Sequence, residues 1–400
     1  MERSDLDDVL FTMLTMFPTH VSDLVCAVNK TLQIEYVGSL VDVPTKPPLA
    51  FPYLSPFQTA EMAMMLIGGS ERLLKTLVAT GSCDLAYQLR DRARFRVNIF
   101  TTKRNFSIVL RKLETNVPTL LDLKAPAIFS DVIKEKNGLV LVTGATGSGK
   151  STTLAAMLRA LNEDKPIHIV TLEDPIEFSH TNIQATFNQR ELGTDFDTFP
   201  HGLKAALRQA PKVILVGEMR DRETMEIALS AAETGHLVLS TLHTVNAGQT
   251  INRIVGMFDK DQEEQIRTRL SDTLRWVVCQ RLIKKIDGGR IAAHEIMGNN
   301  LRIAEIIVNG EDEIKTYFNA IESAEALGWQ TFESCLLKLF AQKTISEEEA
   351  ILNSTRKSAM RQKIDFEKNL KGEKTSDIEN LQIDSTYVDK VRGSMENKNA

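Results

Sequence analysis

Cysteine is scarce in this sequence: there are four in 400 residues. Cys26, Cys83, Cys279 and Cys335 are widely spaced and form no CxxC pair, which excludes a disulfide framework and predicts reduced thiols in a cytosolic chain. No apolar run approaches the ~20 residues of a membrane-spanning helix, and the opening Met1–Asp8 is acidic where a secretory signal is basic. No transmembrane segment is therefore expected. An excess of one charge is missing too. Forty-eight basic side chains face 53 acidic ones, a net −5, which argues against nucleic acid as a partner. His294-Glu295 has no second histidine at helical spacing, so a zinc-protease site is ruled out. There is no internal repeat and no Leu-Ser-Gly-Gly signature of a transporter ATPase. What is present is ordinary globular material, 42 % apolar and 25 % charged, long enough for two or three domains.

Three textures follow one another. Residues 1–113 are mixed: an early strand-like part, a Pro-punctuated stretch from Pro44 to Pro56, a helical stretch around Gln58–Leu77, and a strand signal in Arg94–Ile99, where polar and apolar side chains alternate. Met62, Met64 and Met65 are expected in the core rather than on a binding surface. After a linker at 114–118, the region from 119 repeats an apolar run, a polar turn and an amphipathic helix. The runs are Leu139–Thr143, Ile167–Leu172, Val213–Val216 and Leu237–Thr241. This alternation predicts a parallel sheet covered on both faces. From Ile291 onward the pattern reads as helical, with Ala324–Phe340 and Ser346–Leu352 as candidates. This region extends to 366, and residues 367–400 read as a disordered tail.

Gly144-Ala145-Thr146-Gly147-Ser148-Gly149-Lys150-Ser151 fits the phosphate-binding pattern G-x-x-x-x-G-K-[ST], entered by an apolar run and left by a helical one. The glycines let backbone N–H groups wrap phosphates, and the helix amino end adds positive potential. Lys150 would hold the β- and γ-phosphates and the Ser151 hydroxyl Mg²⁺, with Thr152 completing the cradle.

Each later apolar run ends in reactive side chains, and in an open parallel sheet ligands bind at those ends. Glu173 and Glu177 follow one run, Glu218 another, and His243 a third. Nucleotide hydrolysis needs a carboxylate to deprotonate or orient water and others near the metal. Glu218 is the first candidate for that water and for a water-mediated metal contact; Gly217 takes the place of the usual metal-binding Asp. His243 is the candidate γ-phosphate sensor. His236 lies seven residues away, about 23 Å along a regular strand, and reads as structural. Arg90, Arg92, Arg94 and Arg96 recur at every second position and would share one face if the strand extends through all four. That face is either solvated or a set of guanidinium groups aimed at a nucleotide across an assembly. Arg111 is a further candidate.

Taken in order, Arg94-Phe95-Arg96-Val97-Asn98, the phosphate loop, Glu173–Glu177, Val213–Asp221 and Ala232–Thr244 resemble the secretion and type IV pilus ATPase superfamily, within it the PilT/PilU group of retraction motors. The resemblance implies a PAS-like α+β domain followed by a RecA-like α/β P-loop domain. It implies a homo-hexameric ring with ATP as the nucleotide, arginines directed towards it, and Glu218 as catalytic glutamate. Arg96 and Arg111 match the arginine positions best, followed by Arg94. It also implies work at the inner-membrane pilus platform, from the cytoplasmic side, driving pilus retraction and twitching motility. No tetracysteine zinc element is present, which favours retraction over assembly. Arg302–Asp312 departs from the retraction motors' helix and is closer to PilU-like accessory ATPases. Gln209–Lys212 also lacks the family's acidic residues around its proline. An accessory motor dependent on a second retraction ATPase, and a ring component that binds nucleotide with little hydrolysis, are the alternatives.

Overall fold

A computed structural model describes residues 3–16, 21–36, 39–43, 53–90, 92–113 and 116–370. Most of the Pro44–Pro56 stretch, residues 114–115 of the linker, and 371–400 of the expected tail lie outside the described residues.

The first unit opens on a helix, α1 (Arg3–Met16), ahead of the strands expected before Pro44. Leu6, Leu10 and Met13, at i, i+4 and i+7, are fully buried and account for it. Strands β1 (Val21–Cys26), β2 (Leu32–Tyr36) and β3 (Ser39–Val43) precede α2 (Pro56–Ile67) and α3 (Glu71–Thr80). The helical stretch expected as one piece is thus two. Ser55 and Gln58 form a reciprocal cap that starts α2, the chain turns at Gly68, and Ser70 caps α3. Then come β4 (Ser82–Leu89), β5 (Ala93–Thr102) and β6 (Asn105–Leu113), in an antiparallel sheet ordered β3-β2-β1-β6-β5-β4. Phe95, Val97 and Ile99 of β5 point into the core with Met62. Met65 packs on it, whereas Met64 is exposed.

The ladder of four arginines does not form. Strand β5 begins at Ala93, so Arg94 and Arg96 lie on it, while Arg90 sits in the preceding turn at φ 49° and pairs with Asp8. The turn interrupts the alternation that the spacing implied.

The second unit runs α4 (Phe129–Val132), β7 (Gly138–Thr143), α5 (Lys150–Asp164), β8 (His168–Glu173), β9 (Thr186–Glu191), α6 (Phe199–Ala206), β10 (Val213–Val216), α7 (Arg222–Glu233) and β11 (Leu237–Leu242). It continues through α8 (Ala247–Val255), α9 (Glu263–Thr273), β12 (Leu274–Lys284) and β13 (Arg290–Gly298). Helices α10 (Leu301–Asn309), α11 (Tyr317–Glu322), α12 (Phe332–Ala341), α13 (Glu347–Asn353) and α14 (Lys357–Leu370) follow. The sheet order is β13-β12-β7-β11-β10-β8-β9, parallel except for β13. All four apolar runs are central strands. Leu139, Leu141, Ile214, Val216 and Val238 pack against α7–α10, and Val140, Val142, Val213, Leu215 and Leu239 pack on the other face beneath α5. Ile291–Gly298 is strand rather than helix, because it folds back on β12 with Ile283 opposite Ile291. The candidate helix Ala324–Phe340 begins only at Phe332. At the far end α14 buries Met360 and Ile364 and carries on to Leu370, past the start of the expected tail.

Beneath α12, Glu295 of β13 is buried and accepts the Ala247 N–H at 2.8 Å. Burial, then the neighbouring Glu333, push its carboxyl up to about 7 against the pull of Arg281 and two backbone N–H donors. A raised carboxyl pKa favours folding fully below the unfolded value near 4.5, and that stabilisation is lost as pH rises through about 7. Thermal unfolding of Glu295→Gln beside the wild type is expected to show the variant gaining up to about 3 kcal/mol relative to wild type between pH 5 and pH 8. Parallel pH curves for the two chains would contradict it.

Candidate active site

Parallel register places the chemistry on one rim. Thr143 of β7 lies beside Leu242 of β11, and Val216 of β10 lies between Ser240 and Leu172. The residues that follow these strand ends, Gly144, Glu173, Glu218 and His243, therefore gather at the carboxyl edge of the sheet.

The loop from β7 to α5 is held closely from behind. A Cβ at Gly144 would sit 2.4 Å from the Gln280 carbonyl oxygen, and the residue adopts φ 148°. Buried Gln280 donates from Nε2 to the Ser148 carbonyl at 2.7 Å and accepts the Thr153 hydroxyl at 2.7 Å. Lys150 folds back over the loop, its Nζ donating to the carbonyls of Gly144 at 2.9 Å and Ala145 at 3.1 Å. Burial lowers its pKa, opposed by the charges of Glu218 and Glu177. Ala145, Thr146, Gly147 and Ser151 are exposed on the outer side.

In front of the loop lies a cavity of about 450 Å³, lined by the loop, Thr152, Glu173, Glu177, Glu218 and His243. This volume is in the range of small-molecule sites. Glu218 accepts from Arg220 at 2.8 Å and stands 3.3 Å from His243 Nε2. Partial burial pushes its carboxyl up, but the hydrogen bond and charge of Arg220, with His243, hold it below the usual range. Glu173 receives the Thr171 hydroxyl at 2.6 Å and Gln189 Nε2 at 3.0 Å; burial outweighs both and raises its pKa. Glu177 is exposed at the mouth.

His236 is at the other end of β11, its Nδ1 3.1 Å from the Ala231 carbonyl oxygen. The three arginines stay outside the cavity of their own chain. Arg96 and Arg111 are cross-strand neighbours on β5 and β6, both exposed, beside Asp84 and Asp23 respectively. Arg94 donates to Glu191 at 2.8 Å. Sequence reasoning missed Arg220, Arg290 and Gln280. Arg220 was visible two residues after Glu218 as a cation beside an acid, and Arg290 lines the cavity from β13. Nothing in the local sequence marks Gln280, whose role depends on β12 lying beside β7.

The donors suit a magnesium nucleotide. Ser148 Oγ is buried without a partner inside the loop, and the Lys150 ammonium is satisfied by carbonyls that a phosphate would replace. Among the described residues no cluster of three His, Cys, Asp or Glu side chains could hold a metal ion.

The family model for type II/IV secretion system proteins matches residues 80–298. The type IV pilus retractation ATPase PilT of Pseudomonas aeruginosa is 48 % identical over 267 residues, 67 % of this chain and 77 % of that one. PilU, the type IV pilus ATPase of the same organism, is 39 % identical over 335 residues, 83 % of this chain and 85 % of that one. A crystal structure of the pilus retraction motor PilT with bound ADP has a TM-score of 0.77 at 37 % identity, covering 88 % of this chain and 98 % of that one. The chain is thus a RecA-like, nucleotide-binding ATPase with a smaller domain before it, and it belongs to the type II/IV secretion system protein family as a member of the PilT/PilU-like group.

Proposed function

We propose that this ATPase is the subunit of a hexameric motor that hydrolyses Mg–ATP to retract type IV pili, acting on the inner-membrane platform from its cytoplasmic side. The observation that carries the chemistry is the Glu218 carboxylate, kept ionised by Arg220 and His243 on the same rim as the phosphate loop. In this reading Lys150 and the amides of 144–152 hold the β- and γ-phosphates, and the Ser151 hydroxyl holds Mg²⁺. Bound there, Mg²⁺ would neutralise charge on the phosphate oxygens. Glu218 accepts the proton of the attacking water. Glu173 and Glu177 orient water around the metal, and His243 senses the γ-phosphate end of the cavity. Exposed Arg96 and Arg111 serve a neighbour's nucleotide, while Arg94 stays paired with Glu191 of its own chain. His236 keeps a structural role. The domains divide as 1–113 and 119–370, joined by 114–118, the second extended past 366 by α14. Among the described residues no helix is long and apolar enough to cross a membrane.

A PilU-like accessory role is the second reading, favoured by the longer span of the PilU match, 83 % of this chain against 67 % for PilT. Twitching assays decide between them. A strain lacking this gene and any second retraction ATPase is expected to recover motility with the wild-type gene alone and not with the Glu218→Gln form. Recovery only when the second ATPase is restored as well would assign the accessory role. Recovery with Glu218→Gln would overturn the motor reading.

A further inference from the structure

Glu191 at the end of β9 is 7 % exposed and belongs to none of the motifs above. Its carboxylate joins two parts of the molecule. Oε2 accepts Arg94 of β5, in the first domain, at 2.8 Å. The same oxygen accepts the Ile176 N–H at 3.3 Å, from the segment between Glu173 and Glu177. Glu191 is also the register partner of Glu173 on β8, and the Leu192 N–H donates to the Glu173 carbonyl at 2.8 Å.

The turn that carries Glu191 is well fixed. Its N–H donates to Asp195 Oδ2 at 2.8 Å, and the Asp195 N–H donates to the Glu191 carbonyl at 2.8 Å. The first domain meets this turn at a second point, where the Arg72 guanidinium crosses Gly193 so closely that a Cβ there would lie 2.4 Å from Arg72 Cζ. Arg94 is itself largely buried, with a side chain 22 % exposed. An ion pair held this far from water is costly to break from one side.

We infer that Glu191 is a positioning residue that ties the acidic Glu173–Glu177 segment to Arg94 of the first domain, so that movement between the domains changes how that segment meets the nucleotide. The inference rests on the proposed role of Glu173 and Glu177 at the nucleotide. Glu191 has two bonds to keep: with Arg94 released, its carboxylate is free to swing, and the Ile176 N–H loses its acceptor. Small misplacement of groups around a reacting phosphate lowers turnover steeply while leaving ground-state binding nearly intact.

The test is a double-mutant cycle on the full chain with two readouts. Glu191→Gln retains an oxygen for the Ile176 N–H but loses the charge that Arg94 requires. It is expected to lower kcat for ATP about tenfold with KM within about threefold of wild type. Hydrogen exchange at the Ile176 amide is expected to speed up in Glu191→Gln and, equally, in Arg94→Gln, whose altered side chain is in the other domain. The double variant should be no slower than the worse single one by more than about twofold, as for residues acting as one unit. Wild-type kcat in Glu191→Gln, unchanged exchange at Ile176 in Arg94→Gln, or losses that multiply would each overturn the inference. Should Glu191→Gln fold poorly, the Arg94→Gln exchange measurement decides alone. Failure of the underlying nucleotide reading would look different: Lys150→Ala would then bind and hydrolyse ATP like the wild type.

Discussion

A chain carrying Glu218→Gln is expected to bind Mg–ATP within about threefold of wild type and to hydrolyse it about 10²–10⁴-fold more slowly, the usual range for losing a general base. Glutamine has nearly the same shape and can still accept from Arg220, so the cavity keeps its form. What it lacks is the negative charge that Arg220, at 2.8 Å, and His243, at 3.3 Å, are arranged to keep. Because those partners outweigh burial and depress the Glu218 pKa, the base is fully ionised at neutral pH. The acid limb of the wild-type rate profile should accordingly fall below the ordinary carboxylate value of 4.5, wherever the fold survives. Steady-state phosphate release beside a nucleotide titration separates the two effects. Wild-type turnover in Glu218→Gln would move the base elsewhere on the rim, Glu173 being the next carboxylate.

Lys150→Ala is expected to fail earlier, at binding, with affinity for Mg–ATP reduced about 10²–10³-fold, as when one partner of a buried charge pair is truncated. The Lys150 ammonium is held over the loop by the carbonyls of Gly144 and Ala145, in a buried setting where a charge interacts strongly with phosphate. Removing it also frees those two carbonyls to repel an anion. Hydrolysis should disappear with binding, in contrast to Glu218→Gln, and the two variants together separate gripping the nucleotide from cleaving it.

The central sheet was legible because its strands are buried on both faces and so read as unbroken apolar runs; Leu139–Thr143 and Val213–Val216 could be little else. The site residues at the strand ends were legible for the same reason. Where burial is one-sided or local chemistry intervenes, the text misled. The arginine alternation continued through a turn that begins β5 only at Ala93. Ile291–Gly298 looked helical because its pairing with β12 is a non-local fact. The strand β9 went unrecognised since Thr186–Glu191 is largely polar at the sheet edge, and with it went Glu191. Gln280 was invisible for a similar reason: a buried amide reads like any other until the strand beside it is known. Arg220, by contrast, is legible as a cation two residues from Glu218, within the same strand-end motif.

Calorimetric titration of Mg–ATP analogue into the folded protein probes the central claim most directly. Saturable uptake is expected by the wild type and by Glu218→Gln, and little or none by Lys150→Ala. Well-folded wild-type protein that takes up no magnesium nucleotide would contradict it.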